Sequence, residues 1–180
     1  LFIFTIVVLI FTPVFILIFA PGFYIDPEKK DLSIQVLRIM FPYLALISLV
    51  AFASGIQNTH QKFSIPAFTP VLFNVILIIA ASFIAPNYDM PILVLAWSVL
   101  LAGFVQVIIQ VSPLINIDKL PVPKLDFNNE GVKKFMSIIF PAIIAGGILQ
   151  INLLIDTIFA SLLETGSPTW LYISDRLIQF

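Results

Sequence analysis

Long apolar runs dominate this sequence, and several of them are long enough to cross a lipid bilayer. A helix needs about 20 apolar residues to span the hydrocarbon core. Runs of roughly that length or longer occupy residues 1–20, 32–58, 63–85, 92–115 and 132–163. A sixth run starts near Thr169 and covers residues 169–180. The sequence therefore predicts an all-α, polytopic membrane helix bundle with about five complete spans and the start of a sixth.

Composition supports a membrane protein and excludes several other classes. Apolar residues make up 60% of the chain and charged residues 11%, which is outside the range of a soluble domain of this length. The sequence has no cysteine, which excludes disulfides, thiol catalysis and Cys-ligated metal sites. The connections are short and carry turn residues, so we expect one transmembrane region over residues 1–180 without an extramembrane domain. Because Leu1 already lies inside an apolar run, we expect a piece of a larger membrane protein.

The lysines in the connections predict how the bundle is oriented. Every second connection lies on the same side of the membrane, and one side carries more lysines than the other. The lysine-rich side has Lys62, Lys119, Lys124, Lys133 and Lys134, whereas the other side has Lys29 and Lys30. The positive-inside rule therefore predicts that the lysine-rich side, with the connection from Asn116 to Gly131, faces the cytoplasm.

Prolines recur in or near the ends of the predicted spans, at Pro13, Pro42, Pro70 and Pro141. Each proline removes a helix hydrogen bond and favours a kink unless neighbouring groups compensate. Kinked helices are typical of bundles that move or line a cavity, although they also occur in static bundles.

Polar residues form stripes on the last two predicted helices. Asn152 and Asp156 are one helical turn apart and share a face, and Gln150, Thr157 and Ser161 form a neighbouring stripe. On the next helix a stripe contains Thr169, Tyr172, Arg176 and Gln179, with Asp175 about 100° from Arg176 around the helix axis. Polar groups inside spans are expensive in lipid and normally face a bundle interior or a wet cavity.

Two interpretations of Arg176 are open. In the structural interpretation, Arg176 pairs with Asp156 across the helical hairpin or extends outward to the membrane surface. In the functional interpretation, its guanidinium binds an anionic ligand, most naturally a phosphate, in a bidentate way. Asp175 would then orient Arg176 or exchange with it during a gating motion.

Other functional classes lack their residues in this sequence. An enzyme is not indicated, because His60 stands alone in a connection and no Asp/Glu cluster has metal-ligand spacing. A channel would need a selectivity filter or a charged ring. Nucleic acid is not an expected partner, because no basic patch is interleaved with aromatic residues.

Three blocks of the sequence are similar to a known family. The blocks "RIMFPYLALISL", "NTHQKFSIPAFTPVLFN" and "DTIFASLLETGSPTWLYISDRLIQF" resemble the lipid II flippase family (MurJ, also called MviN). This family belongs to the multidrug/oligosaccharidyl-lipid/polysaccharide exporter superfamily. The resemblance implies a segment from the third helix to the start of the eighth.

The resemblance also implies an activity, a substrate and a location. Lipid II, the undecaprenyl-pyrophosphate-linked disaccharide-peptide precursor of peptidoglycan, would cross the bacterial cytoplasmic membrane by alternating access for cell wall biosynthesis. Lipid II and membrane lipids are then the expected partners. Another exporter of the superfamily is the alternative, either a polysaccharide-lipid flippase or a cation-coupled drug antiporter.

Site residues follow from the resemblance. The family's Asp-Arg pair falls on Asp175 and Arg176, which predicts a substrate-binding or gating site with Thr169, Tyr172 and Gln179. A family turn motif falls on Gly166, Ser167, Thr169 and Trp170. Two departures are Ser174, where alanine is common, and Gln179, where some members have an acidic residue, which puts in doubt any role that needs a charge there.

The resemblance raises one further possibility. Asp156 stands where family members have Asp or Asn, and with Asn152 and Thr157 it is a candidate site for a coupling cation, because hard cations favour oxygen ligands. That cation, Na+ or H+, and the membrane potential would be the only cofactors expected. The alternative for Asp156 is a structural hydrogen-bonding partner.

Overall fold

The chain folds into helices joined by short turns. The computed structural model describes residues 1–117 and 129–178, without the side chains at positions 149 and 178. Nine α-helices occupy this described part: α1 (Phe2–Ile10), α2 (Thr12–Phe19), α3 (Pro21–Ile25), α4 (Pro27–Met40), α5 (Tyr43–Thr59), α6 (Ser64–Ile79), α7 (Pro91–Asn116), α8 (Glu130–Leu162) and α9 (Ser167–Ile178). No strand occurs among the described residues, and the predicted all-α class is confirmed.

Four helical stretches of the described chain are long and apolar enough to cross a membrane: Pro27–Thr59, Ser64–Asn87, Pro91–Asn116 and Glu130–Leu162. The α1–α2 pair makes a fifth if it counts as one broken span. This agrees with the predicted polytopic bundle of about five spans. The sixth predicted span corresponds to α9, which has 12 residues.

The second span begins earlier than its apolar run. The prediction placed its start at residue 32, but α4 begins at Pro27, within the charged segment before it. Asp26 Oδ1 accepts hydrogen bonds from the backbone N–H groups of Glu28 (3.1 Å) and Lys29 (3.4 Å). This side-chain cap satisfies N–H groups that have no partner inside the helix, so the helix starts outside the apolar run.

The first apolar run is not one continuous helix, which corrects the predicted span over residues 1–20. It is divided into α1 and α2 at Phe11. Pro13 has no N–H to donate to the carbonyl of Leu9 one turn earlier. The Thr12 hydroxyl takes over this role and donates to the carbonyls of Val8 (2.8 Å) and Leu9 (3.0 Å). The break therefore leaves those carbonyls satisfied.

The other prolines have different effects. Pro42 lies at the junction of α4 and α5, whereas Pro70 and Pro141 lie inside α6 and α8, which continue past them. After α6 the span continues as a π-turn (Ala80–Ile84) and a 3₁₀ turn (Ala85–Asn87). A proline inside a span therefore does not by itself end the helix.

The structure contains two compact units. The described residues of the first unit are 1–12 and 31–117, and those of the second are 13–30 and 129–178. In the first unit, α5 and α6 pack on α7. Gly103 on α7 permits this close packing, because an added Cβ would lie 2.7 Å from Tyr43 Cδ2 and 3.0 Å from Leu46 Cδ1.

The second unit is built around α8. Its C-terminal end is contacted by α3 and is followed by α9, which folds back against it. This hairpin of α8 and α9 carries most of the residues that the sequence predicts for function.

Candidate functional site

The turn between α8 and α9 fixes how the two helices meet. Gly166 has a φ of +105°, a backbone conformation that side chains disfavour. Its carbonyl accepts the N–H of Trp170 at 3.0 Å, and the carbonyl of Glu164 accepts the N–H of Ser167 at 3.1 Å. Glycine at this position therefore allows α9 to start directly after a tight turn.

One face of α9 lies opposite α8, and the two helices line a groove of about 380 Å³. From α9 the groove is lined by Ser167, Trp170, Leu171 and Ser174, which recur at helical spacing. From α8 it is lined by Asp156, Phe159, Ala160 and Leu163. Asp156 thus faces hydroxyl and aromatic groups of α9.

The predicted stripe of Thr169, Tyr172 and Arg176 lies on the opposite face of α9. At about 100° per residue, these positions are roughly 180° around the helix from the groove-lining positions. Tyr172 and Arg176 are one turn apart and are in contact. Arg176 Nε donates a hydrogen bond to the Tyr172 hydroxyl at 3.1 Å, and the guanidinium carbon is 5.1 Å from the centre of the tyrosine ring. The tyrosine is therefore one partner of the guanidinium group.

This arrangement bears on one part of the structural interpretation, the ion pair between Asp156 and Arg176. The Asp156 carboxylate makes no hydrogen bond or ion pair with any residue in the described ranges 1–117 and 129–178. Arg176, on the other face of α9, interacts with Tyr172. The hypothesis that Asp156 and Arg176 form an ion pair is wrong for this structure, because α9 turns their side chains apart.

The candidate cation residues do not share one groove. Thr157 lines a separate groove of about 320 Å³ with Phe19 and Gln150, on another side of α8 from the groove of Asp156. Its hydroxyl donates to the Leu153 carbonyl at 2.7 Å. Asn152 and Asp156 are both exposed and lie on the same side of α8. A cation site with all three residues stays a prediction.

The remaining predicted residues are placed as follows. Asp175 is half-buried on the flank of α9, and Thr169 is exposed on the stripe with Arg176. Gln179 and most of the connection from Asn116 to Gly131 lie outside the described residues. The stripe on α9 is therefore described as far as Arg176.

Two sets of polar contacts were missed by the sequence interpretation. One joins α3 and α4 to the end of α8 and the turn after it: the Gly22 N–H of α3 donates to Ser161 Oγ of α8 at 3.2 Å, and Lys29 Nζ of α4 donates to Thr165 Oγ1 in the turn at 2.8 Å. The other is a buried group of glutamines in the first unit, which includes Gln106. Amide side chains inside apolar spans were the available signal for the second set.

Comparisons with known proteins agree with this architecture. The family model described as "Lipid II flippase MurJ" matches residues 1–180. The chain is 45% identical over 170 residues to the "Probable lipid II flippase MurJ" of Buchnera aphidicola subsp. Acyrthosiphon pisum, covering 94% of this chain and 33% of that protein. It is 39% identical over 165 residues to the "Lipid II flippase MurJ" of Burkholderia cenocepacia, covering 89% of this chain and 32% of that protein.

A third relative is the "Probable lipid II flippase MurJ" of Vibrio cholerae, which is 40% identical over 170 residues, covering 91% of this chain and 32% of that protein. The chain thus spans about a third of the length of the curated relatives that it matches. The relatives are bacterial, and the apolar helices belong to a multi-pass protein of the cytoplasmic membrane. With a match along its whole length, the chain belongs to the lipid II flippase MurJ family.

Proposed function

We propose that the protein containing this chain moves lipid II across the bacterial cytoplasmic membrane, and that Arg176 contacts the pyrophosphate of the headgroup. The observation that carries the proposal is the contact of Arg176 with Tyr172 on the face of α9 that does not pack on α8. Membership of the flippase family supports the choice of substrate. Transport, rather than an enzyme reaction, is the activity that the name of the family describes.

The physical requirement for such transport is a polar, cationic path. A bare pyrophosphate in hydrocarbon is prohibitively costly, so the protein must replace its water with donors and positive charge. A guanidinium is planar and can give two parallel hydrogen bonds to one phosphate, which an ammonium cannot do. Tyr172 holds one edge of this guanidinium, so less freedom is lost when an anion binds.

The driving force follows from charge. Because the cytoplasm is electrically negative, each negative charge that moves outward gains about 2.3 kcal/mol per 100 mV. We propose that a coupling cation, Na+ or H+, resets the empty carrier, with Asp156 as the residue that senses it and Asn152 and Thr157 as neighbouring oxygen donors. The Asp156 carboxylate has no ion-pair partner among the described residues, which is consistent with a carboxylate available to a cation.

The test of the substrate site uses the full-length protein in a lipid II flipping assay. Arg176→Ala should abolish export, and Arg176→Lys should restore it only in part, because lysine keeps the charge and loses the bidentate geometry. Tyr172→Phe should lower export by less than Arg176→Ala, because the ring remains and one hydrogen bond is lost. Lys62→Ala, at an exposed position in the α5–α6 turn, is the matched control for loss of one positive charge.

Equal export by Arg176→Ala and wild type at matched protein levels would contradict the proposed role of Arg176. If the wild-type protein does not move lipid II, the proposed function itself is wrong.

A further inference from the structure

Buried amide and hydroxyl side chains meet between α5, α6 and α7 in the first unit. Gln57, Thr69 and Gln110 are 0%, 4% and 1% exposed. Both protons of the Gln110 amide are used, because its Nε2 donates to Ser54 Oγ and to Thr69 Oγ1, each at 2.9 Å. Its Oε1 accepts a hydrogen bond from Gln57 Nε2. Gln110 is therefore satisfied and connects the three helices.

Gln106, one turn earlier on α7, has a side chain that is only partly hydrogen-bonded. Its Nε2 donates to the Thr69 carbonyl at 3.1 Å, but its Oε1 is buried and has no hydrogen-bond partner in the described part of the chain. The residue is only 2% exposed, and it lines a cavity of about 310 Å³. A buried acceptor without a donor is unfavourable unless a ligand or water supplies one. Gln106 therefore places a buried acceptor without a donor in the wall of this cavity.

A proline in α6 leaves a second carbonyl near this cavity without its usual helical donor. Pro70 lies inside α6 and has no N–H, so it cannot donate to the carbonyl of Pro66 one turn earlier. Pro66 and Pro70 both line the cavity. In membrane helices, carbonyls freed by proline are satisfied by other donors or lie against a polar cavity.

The cavity wall is polar but uncharged. Besides Gln106, its polar side chains include Ser54, Thr69 and Asn74, and none of its lining residues within the described helices is acidic or basic. An anion would find no basic group and a cation would find no carboxylate to offset its charge. The wall therefore suits a neutral group that donates hydrogen bonds.

Two aromatic rings form part of the cavity wall. Tyr43 and Phe73 both line it, with ring centroids 5.6 Å apart and ring planes tilted by 40°. Gly103 leaves room for the Tyr43 ring against α7. A flat apolar surface beside amide and hydroxyl groups matches a sugar ring, which has apolar C–H faces and a polar edge. The volume lies at the lower end of small-molecule sites, about 300–1,000 Å³, as expected for one sugar unit.

We infer that this cavity binds an uncharged sugar unit of the lipid-linked substrate, with Gln106 Oε1 and the Pro66 carbonyl as acceptors for its hydroxyl or amide protons. The inference rests on the proposed function, because lipid II carries a disaccharide. The residues of this cavity differ from Arg176, which binds the pyrophosphate in the proposed function. Sugar recognition and anion recognition therefore depend on different residues.

The experiment compares two lipids that differ only in the headgroup beyond the pyrophosphate. Affinities of the purified full-length protein are measured for lipid II and for undecaprenyl pyrophosphate, which has no sugar. Gln106→Leu and Asn74→Ala should each weaken lipid II binding about three- to ten-fold, the effect of one lost hydrogen bond, and leave undecaprenyl pyrophosphate binding unchanged. Arg176→Ala should weaken both.

Asn74→Ala is included because Gln106→Leu could impair folding. Asn74 is exposed and makes no side-chain hydrogen bond within the described residues, so its replacement should leave the fold intact. Asn58→Ala is the matched control, at an exposed position of α5 outside the cavity lining, and should bind both lipids like wild type.

The outcomes separate the two proposals. If the wild-type protein binds neither lipid, the proposed function is wrong, and this inference is wrong as well. If wild type binds both and the cavity variants bind lipid II with unchanged affinity, the sugar site alone is wrong. A change in sodium dependence with unchanged lipid affinities would identify a cation site and would also overturn the sugar assignment.

A labelling experiment tests whether the cavity is open in the full-length protein. Asn74→Cys, in a background without other cysteines, should react with a maleimide and be protected by lipid II but not by undecaprenyl pyrophosphate. No reaction in the lipid-free protein would mean that another part of the full-length protein fills the cavity, which would refute the inference.

Discussion

At the scale of single residues, the rotation of α9 separates the charges of Asp156 and Arg176. Asp156 faces the groove between α8 and α9, and Arg176 contacts Tyr172 on the far side of α9. If the two charges formed a buried ion pair, the loss of one partner would cost about 3–5 kcal/mol. Because the two residues do not pair, the structure allows each of them a separate role.

Asp156→Asn tests this separation. We expect the free energy of unfolding to change by less than about 0.5 kcal/mol, because no described partner of Asp156 is lost. We also expect transport to lose its dependence on the coupling cation, because the amide has no charge. Thermal unfolding and flipping at varied Na+ concentration and pH measure the two effects.

The double variant Asp156→Asn with Arg176→Gln is the control for this prediction. Under the proposed roles it should fold and fail to export lipid II. Normal export by the double variant at matched protein levels would mean that the two charges only balance each other.

At the scale of elements, α3 is held against the end of α8 by contacts between residues far apart in the sequence. The Gly22 N–H donates to Ser161 Oγ, and the Gly22 backbone lies so close that an added Cβ would be 1.7 Å from the Ser161 carbonyl oxygen. Nearby, Lys29 at the start of α4 donates a hydrogen bond to Thr165 in the turn after α8. The short helix α3 depends on the absence of a side chain at position 22.

Gly22→Ala should therefore destabilise the packing of α3 on α8 by about 1–3 kcal/mol, the usual cost of forcing extra atoms into a close contact. The measurement is thermal unfolding of the full-length protein in detergent. Gly55→Ala is the matched control, because nothing lies within 4 Å of its added Cβ and alanine favours the interior of α5. Equal melting temperatures for Gly22→Ala and wild type would refute the close contact.

At the scale of the whole molecule, the distribution of lysines predicts how the spans are oriented. Lys133 and Lys134 lie in the first two turns of α8, and Lys62 lies in the turn after α5. Lys29 and Lys30 lie at the start of α4, close to acidic residues. The positive-inside rule therefore predicts that the N-terminal end of α8 is cytoplasmic.

A reporter inserted between Asn116 and Gly131 should report a cytoplasmic position, and one near Glu164 an external position. A reporter in the turn at Lys62 should agree with the first, because an even number of spans separates these two connections. The opposite readings would show that the predicted orientation is wrong.

Local properties of the sequence were enough for the class of fold and for the approximate spans. Apolar length predicts spans because the bilayer thickness sets the number of residues required. Helical spacing correctly put Tyr172 and Arg176 on one stripe, since positions one turn apart share a face. Even the position of Pro13 indicated a disturbed helix, although the division into α1 and α2 also depends on the hydroxyl of Thr12.

Only the tertiary structure decided which faces meet. It separates Arg176 from Asp156, divides Asp156 and Thr157 between two grooves, and brings Gln106 to a cavity beside Pro66. The physical reason is that lipid tails are as apolar as a helix surface, so the hydrophobic pattern of a span does not specify its rotation. That rotation comes from close packing at residues such as Gly103 and Gly22 and from hydrogen bonds between distant helices.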